Sequence, residues 1–193
     1  SVPVIVAALG YFVDIYDLVL FSVVRKPSLL AIGVPLAALE KSGLFLLNIQ
    51  MVGMLVGGLM WGVLGDKKGR LSVLFGSIIL YSVANILNAY VTDITQYGIL
   101  RFVAGVGLAG ELGAGITLVS EILHKDKRGW GTTIVATVGV SGAMLAGLQA
   151  VMEVPWTTCY IIGGVLGLLL LLMRVSMYES GMYKSTELSK HKR

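Results

Sequence analysis

The sequence predicts an all-α integral membrane protein with six transmembrane helices, on three observations. Hydrophobic residues make up 56% of the 193 and charged residues only 13%, for a mean hydropathy of +0.85. A soluble domain needs far more charge to cover its surface. The apolar residues also fall into runs of about 18 to 28, and a helix rising ~1.5 Å per residue needs roughly 20 to cross a ~30 Å hydrocarbon core. Finally, the runs lack the alternation of barrel strands, and a bilayer leaves any other backbone unsatisfied.

The first span, Val4–Val24, has no small-residue cleavage pattern and is read as a membrane helix, not a signal peptide. Pro27 to Ser42 reads as an external loop in which Pro35 discourages helix. The second span, Gly43–Leu64, is separated from the third, Leu71–Ala89, by only about six residues, a length that suits antiparallel helices. Gly65 and Gly69 permit the turn, and Asp66 is short enough to accept backbone N–H bonds. Thr95–Ile122 is long enough to tilt or to project beyond the bilayer. Gly131–Met152 and Trp156–Met173 complete a bundle over residues 1–173, and 174–193 form a basic cytoplasmic tail, a surface helix or disorder. Gly53/Gly57, Gly58/Gly62 and Gly139/Ala143/Gly147 recur at four-residue steps, which lines small side chains on one helix face for close packing.

Lys67, Lys68, Arg70, Lys125, Lys127, Arg128, Arg174, Lys184, Lys190, Lys192 and Arg193 fall on one side of this topology, and only Arg25, Lys26 and Lys41 on the other. That asymmetry predicts a multi-pass protein of the cell (inner) membrane with both termini cytoplasmic. The net charge of +4 therefore reports orientation and not nucleic-acid binding. Cys159 is the sole cysteine, so no intrachain disulfide and no metal-ligand spacing arise, and His124 and His191 lie in polar stretches as solvated side chains. No cofactor and no metal are expected.

Asp14, Asp17, Arg101 and Glu111 sit within spans, where each costs roughly 2.5 to 3.5 kcal/mol if it faces lipid. They must face one another, water or a ligand. Asp14 and Asp17, three apart, share a helix face, and Arg101 and Glu111 differ by only about 80° of rotation. Counting ~1.5 Å per residue, Asp17 lies ~20 Å from the inner end of its span, close to the depth of Arg101, with Glu111 nearer the cytoplasm. An Asp17–Arg101 pair follows, and protonating the carboxylate would free the arginine for another partner. Tyr11, Phe12, Tyr16, Asn48, Gln50 and Asn85 offer stacking surfaces and hydrogen bonds to a polar solute.

The pattern Gly62-x-Leu64-x-Asp66-Lys67-x-Gly69-Arg70 resembles the loop between the second and third helices of the major facilitator superfamily. Arg101-Phe-Val-Ala-Gly105-Val-Gly107-Leu-Ala-Gly110-Glu111 looks like that family's fourth-helix signature. Glu121 with Arg128-Gly129, and Arg174 with Glu179-Ser180, are similar to segments of its sugar porters and metabolite:proton symporters. Tyr178 and Gly181 stand where those groups usually carry proline around the Glu-Ser pair. Gly10-Tyr-Phe-Val-Asp14-Ile-Tyr-Asp17 resembles the first helix of organic-acid symporters. The fifth helix lacks the glycine-proline signature of the drug antiporters, which points to symport.

The resemblance implies the amino-terminal half of a carrier, built from two three-helix repeats. It also implies a cytoplasmic gate formed by Gly62, Asp66, Gly69, Arg70, Glu121, Arg128, Arg174 and Glu179. The expected function is secondary active transport of a small organic solute with protons by alternating access. Partners are then the solute, protons, the bilayer and a second six-helix bundle, in a homodimer with its two-fold axis along the membrane normal. An isolated fragment of a twelve-helix protein, or a non-transporting membrane scaffold or binding protein, remains open at this point. No zinc-binding His-Glu pattern or serine nucleophile elbow is present, and the chain is not expected to be an enzyme.

Overall fold

The computed structural model describes residues 2–122 and 128–190, with side chains described except at 2–4, 6–7, 70–71, 112–122, 128, 131–132 and 177–190. Six helices follow one another: α1 (Val2–Ala31), α2 (Leu39–Lys68), α3 (Arg70–Asn88), α4 (Ile94–Ile122), α5 (Arg128–Val151) and α6 (Trp156–Lys190), with a 3-10 turn at Leu36–Ala38 before α2. Leu36–Lys68, Thr133–Val151 and Trp156–Ser176 are long and apolar enough to cross a membrane, and Ser72–Asn88 is a shorter apolar stretch. Among the described residues the buried charged ones lie on α1, α4 and α6.

The packing repeats itself. α1 lies against α5 and α6, α4 lies against α2 and α3, and α3 touches α6. Exchanging α1–α3 for α4–α6 maps the α1–α5 contact onto α4–α2, α1–α6 onto α4–α3, and α3–α6 onto itself. The closest approaches obey the same exchange: a Cβ at Gly53 of α2 would strike the Phe102 carbonyl oxygen of α4, and one at Gly142 of α5 would strike that of Phe12 of α1. Gly105 of α4 answers Gly53 by meeting the Gln50 carbonyl of α2. Lipid tails are as apolar as leucine, so these helices associate through close van der Waals contact, which glycine permits.

Three boundaries differ from the sequence reading. α1 does not stop at Val24 but runs through Pro27 to Ala31, and the predicted external loop shrinks to a few residues. Packing carries the helix past its proline: Leu29 is fully buried, and Ser28 donates to the Arg25 carbonyl and hydrogen-bonds Tyr97. The helix closes at Gly33 (φ 93°), with Gly33 N–H donating to Leu30 and Val34 N–H to Leu29, and Pro35 forbids continuation. Secondly, α2 continues through Lys68, and the reversal into α3 rests on Gly69 alone (φ 86°, ψ 159°), a region essentially reserved for glycine. Thirdly, α6 continues without a break past Met173 to Lys190.

α5 ends as α1 does. Glu153 N–H donates to Ala150 and Val154 N–H to Leu-preceded Gln149, followed by Pro155, but here the left-handed residue is Glu153 (φ 55°) where α1 uses glycine. The main core groups Tyr16, Leu20, Phe21, Leu29, Leu46, Tyr97 and Tyr160, and a smaller one groups Val13, Ile78, Tyr81, Leu108 and Leu170.

Candidate functional site

Three helices bring one polar side chain each to a single point. Asn85 of α3 donates from Nδ2 to Asp17 Oδ1 of α1 at 2.8 Å, and Arg101 Nη2 of α4 donates to Asn85 Oδ1 at 2.9 Å. Arg101 Nη2 stands 4.0 Å from Asp17 Oδ1, so the amide bridges a loose ion pair. From α2, Gln50 Oε1 receives Arg101 Nη1 at 3.4 Å. Asp17, Asn85 and Arg101 are wholly inaccessible.

Burying a guanidinium demands compensation on its faces as well as its edges. The Arg101 guanidinium carbon lies 5.3 Å from the Tyr160 ring centroid and 5.7 Å from that of Phe21, within the range of cation–π attraction. Asp17 Oδ2 and Arg101 Nε keep no hydrogen-bond partner. One capacity for exchange thus survives on each member of the pair. Beside it the Tyr97 hydroxyl bonds those of Ser28 (2.9 Å) and Tyr160, and the Tyr16 hydroxyl donates to Gln149 Oε1 at 2.7 Å.

A second charged group occupies the region next to Gly10 of α1. Arg174 of α6 grips Glu111 of α4 with both terminal nitrogens, Nη1 to Oε2 at 2.7 Å and Nη2 to Oε1. The bare backbone of Gly10 lies under the pair: a Cβ at residue 10 would lie 2.7 Å from Arg174 Nη2 and 3.4 Å from Glu111 Oε1. Asp14, one turn along α1 from Gly10, is buried. Its Oδ1 has no partner.

The sequence-predicted residues therefore divide. Asp17, Arg101, Gln50 and Asn85 come together; Glu111 pairs with Arg174, one of the residues assigned to the gate, and Asp14 is buried one turn along α1 from Gly10, which faces that pair. Tyr16 is buried at the Gln149 end, and Tyr11 packs its ring on Gly139 of α5. Asn48 lies on the exposed face of α2, about 200° around the helix from Gln50. Gly62, Asp66 and Gly69 are exposed. The side chains of Arg70, Glu121, Arg128 and Glu179 lie outside the described residues, as do His124 and His191. Among the described residues no group of acidic, His and Cys side chains has the makings of a metal site.

Phe21, Ser28, Tyr97, Tyr160 and Gln149 were not singled out by sequence. Tyr97 carried a usable signal, since it precedes Arg101 by one turn on the same face. Ser28 was hidden by Pro27, and Tyr160 by the apolar run around it.

A model of the Major Facilitator Superfamily matches residues 7–190. The protein named for niacin/nicotinamide transport, NiaP, of Bacillus subtilis (strain 168) is 28% identical over 188 residues, covering 96% of this chain and 46% of that protein. The benzoate transport protein of Acinetobacter baylyi is 32% identical over 188 residues (89% and 38%), and the 4-hydroxybenzoate transporter PcaK of Pseudomonas putida 30% over 141 (71% and 32%). The chain thus spans less than half the length of these relatives. In fold it is similar to the proton:xylose symporter XylE bound to 6-bromo-6-deoxy-D-glucose, with a TM-score of 0.77 at 16% identity over 90% of this chain and 44% of that one. The inward-open xylose transporter XylE from E. coli gives a TM-score of 0.74 at 16% identity, over 89% and 46%.

Proposed function

This chain belongs to the Major Facilitator Superfamily, a family of multi-pass membrane transporters and not of enzymes, and we propose that it is one six-helix half of a proton-coupled carrier for a small organic acid. The observation that carries the proposal is the Arg101 guanidinium, held between two aromatic rings and tied to Asp17 through Asn85. A planar carboxylate suits such a guanidinium, since the acid can accept the forked N–H donors while a ring stacks on Phe21 or Tyr160. Benzoate and 4-hydroxybenzoate, for which two of the relatives are named, are aromatic carboxylates of this shape.

In the proposed cycle a proton on Asp17 removes the negative charge that holds Arg101. The guanidinium then turns to the solute, and symport follows from the shared arginine. Alternating access requires a second six-helix bundle rocking against this one around the site. We assign that bundle to a second copy, with the start of α5 near Thr133 receiving Asp66 of its partner. On this assignment Asp66 and Arg70, beside the Gly69 turn, form the cytoplasmic gate with Glu121, Arg128, Arg174 and Glu179. The distribution of lysine and arginine supports placing both termini in the cytoplasm of a cell-membrane protein.

The test begins with the lipid-corrected mass of the protein in nanodiscs, followed by counterflow of labelled benzoate in proteoliposomes under an imposed pH gradient. A two-bundle assembly that concentrates benzoate in the acid-outside direction is expected. A strict monomer without counterflow would mean a fragment of a longer carrier or a non-transporting membrane protein, and the reading of this chain as a paired half-carrier would fall.

A further inference from the structure

Ser28 and Tyr97 have no part in the cycle above, yet both are wholly buried beside the Arg101 site. Ser28 sits on the turn of α1 beyond Pro27, with its Oγ 3.1 Å from the Arg25 carbonyl oxygen and 2.9 Å from the Tyr97 hydroxyl of α4. The Tyr97 hydroxyl also bonds that of Tyr160 on α6. Three buried hydroxyls thus form a chain from the backbone of α1 to a ring that covers Arg101.

The direction of the chain follows from counting protons, since each hydroxyl has one to give. A carbonyl only accepts, so Ser28 gives its proton to Arg25. Tyr97 is then the donor to Ser28 Oγ, and Tyr160 the donor to Tyr97. Successive hydrogen bonds polarise one another, and a phenol that donates its proton holds more electron density in its ring. The ring so enriched is the one whose centroid lies 5.3 Å from the Arg101 guanidinium carbon, and cation–π attraction grows with the negative potential of the ring face. Tyr97 also fixes both rings on the arginine sterically. It meets Tyr160 edge to face at 6.2 Å, and meets Phe21, the second ring beside the guanidinium, in the same way at 6.4 Å.

We propose that Ser28 and Tyr97 are positioning residues for Arg101: they orient and polarise the rings that hold its guanidinium, and so tie its place to the turn of α1 beyond Pro27. The effect acts at a distance. Without Ser28, Tyr97 has only the Tyr160 oxygen to donate to, the order of the chain reverses, and the Tyr160 proton is left outside it. The ring over Arg101 then loses the polarisation and the hydrogen bond that oriented it. That the held arginine serves a solute rests on the carrier reading above, whereas the positioning does not.

Magic-angle-spinning NMR of the full chain in lipid bilayers, isotope-labelled at arginine nitrogen and tyrosine ring carbon, reads the contact directly. The wild type is expected to show cross-peaks from a guanidinium to tyrosine ring carbons, and Ser28→Ala is expected to weaken them and move the guanidinium shift. Tyr97→Phe should do the same, and the double variant should move the signal no further than Tyr97→Phe alone, because both break one chain. An unmoved signal in Ser28→Ala, or effects that add in the double variant as separate packing losses would, overturns the proposal. If Tyr97→Phe fails to fold, Ser28→Ala at the far end of the chain decides alone. In benzoate counterflow Ser28→Ala should raise the half-saturation concentration by about 2- to 5-fold at unchanged maximal rate, the size of one cation–π contact. A moved guanidinium signal with an unmoved half-saturation would overturn the link to the solute. A wild type with the cross-peaks but no counterflow would refute the carrier reading and leave the positioning chain standing.

Discussion

Arg101 stands 4.0 Å from Asp17, too far for a close ion pair, and the space between them is filled by the amide of Asn85. The bridge is a neutral relay: it donates to the carboxylate and accepts from the guanidinium, so each of two fully buried charges gains a hydrogen bond that offsets part of its desolvation.

Replacing Asn85 with leucine should expose that dependence. A buried carboxylate and a buried guanidinium would each lose a hydrogen bond, at a cost of about 1–3 kcal/mol. A lowered unfolding temperature in membranes is expected, together with reduced uptake; an unchanged midpoint would mean that the amide is incidental.

Asp17→Asn removes the charge while keeping the shape. Uptake driven by a pH gradient should lose its pH dependence, whereas Asp17→Glu should preserve part of it. Unaltered proton coupling in Asp17→Asn would sink the role given to this residue.

The glycine contacts predict a pattern rather than a single effect. Gly53→Ala and Gly142→Ala drive a methyl into the carbonyls of Phe102 and Phe12, and each should destabilise by about 1–3 kcal/mol. Gly58→Ala and Gly147→Ala meet open space and should be neutral or stabilising by up to ~1 kcal/mol, because alanine is the better helix former. Equal effects at all four positions would contradict the packing described.

Glu153 adopts φ 55° where α1 uses Gly33 for the same turn. Glu153→Gly should therefore raise stability by about 1 kcal/mol by removing left-handed strain, and Gly69→Ala should lower it by about 1–3 kcal/mol. Thermal unfolding in detergent or nanodiscs reads both, and a stabilising Gly69→Ala would disprove the turn.

Hydropathy, length and the cost of lipid-exposed backbone were enough to make this chain six membrane helices, because those rules act on each segment alone. The same local arithmetic set Asp17 and Arg101 within reach of each other, and in the fold they stand 4.0 Å apart. It could not give the length of α1, since Pro27 is a helix breaker in isolation and is overruled only by the burial of Leu29 and the Ser28–Tyr97 bond. Nor could it attach Arg174 to Glu111, because residues 63 apart meet only through the crossing of α4 and α6 with α1, over the bare surface of Gly10. The charged residues themselves were legible, since a bilayer penalises each one separately. Which carboxylate remains without a counter-ion is a property of pairs, and only the tertiary structure decides pairs.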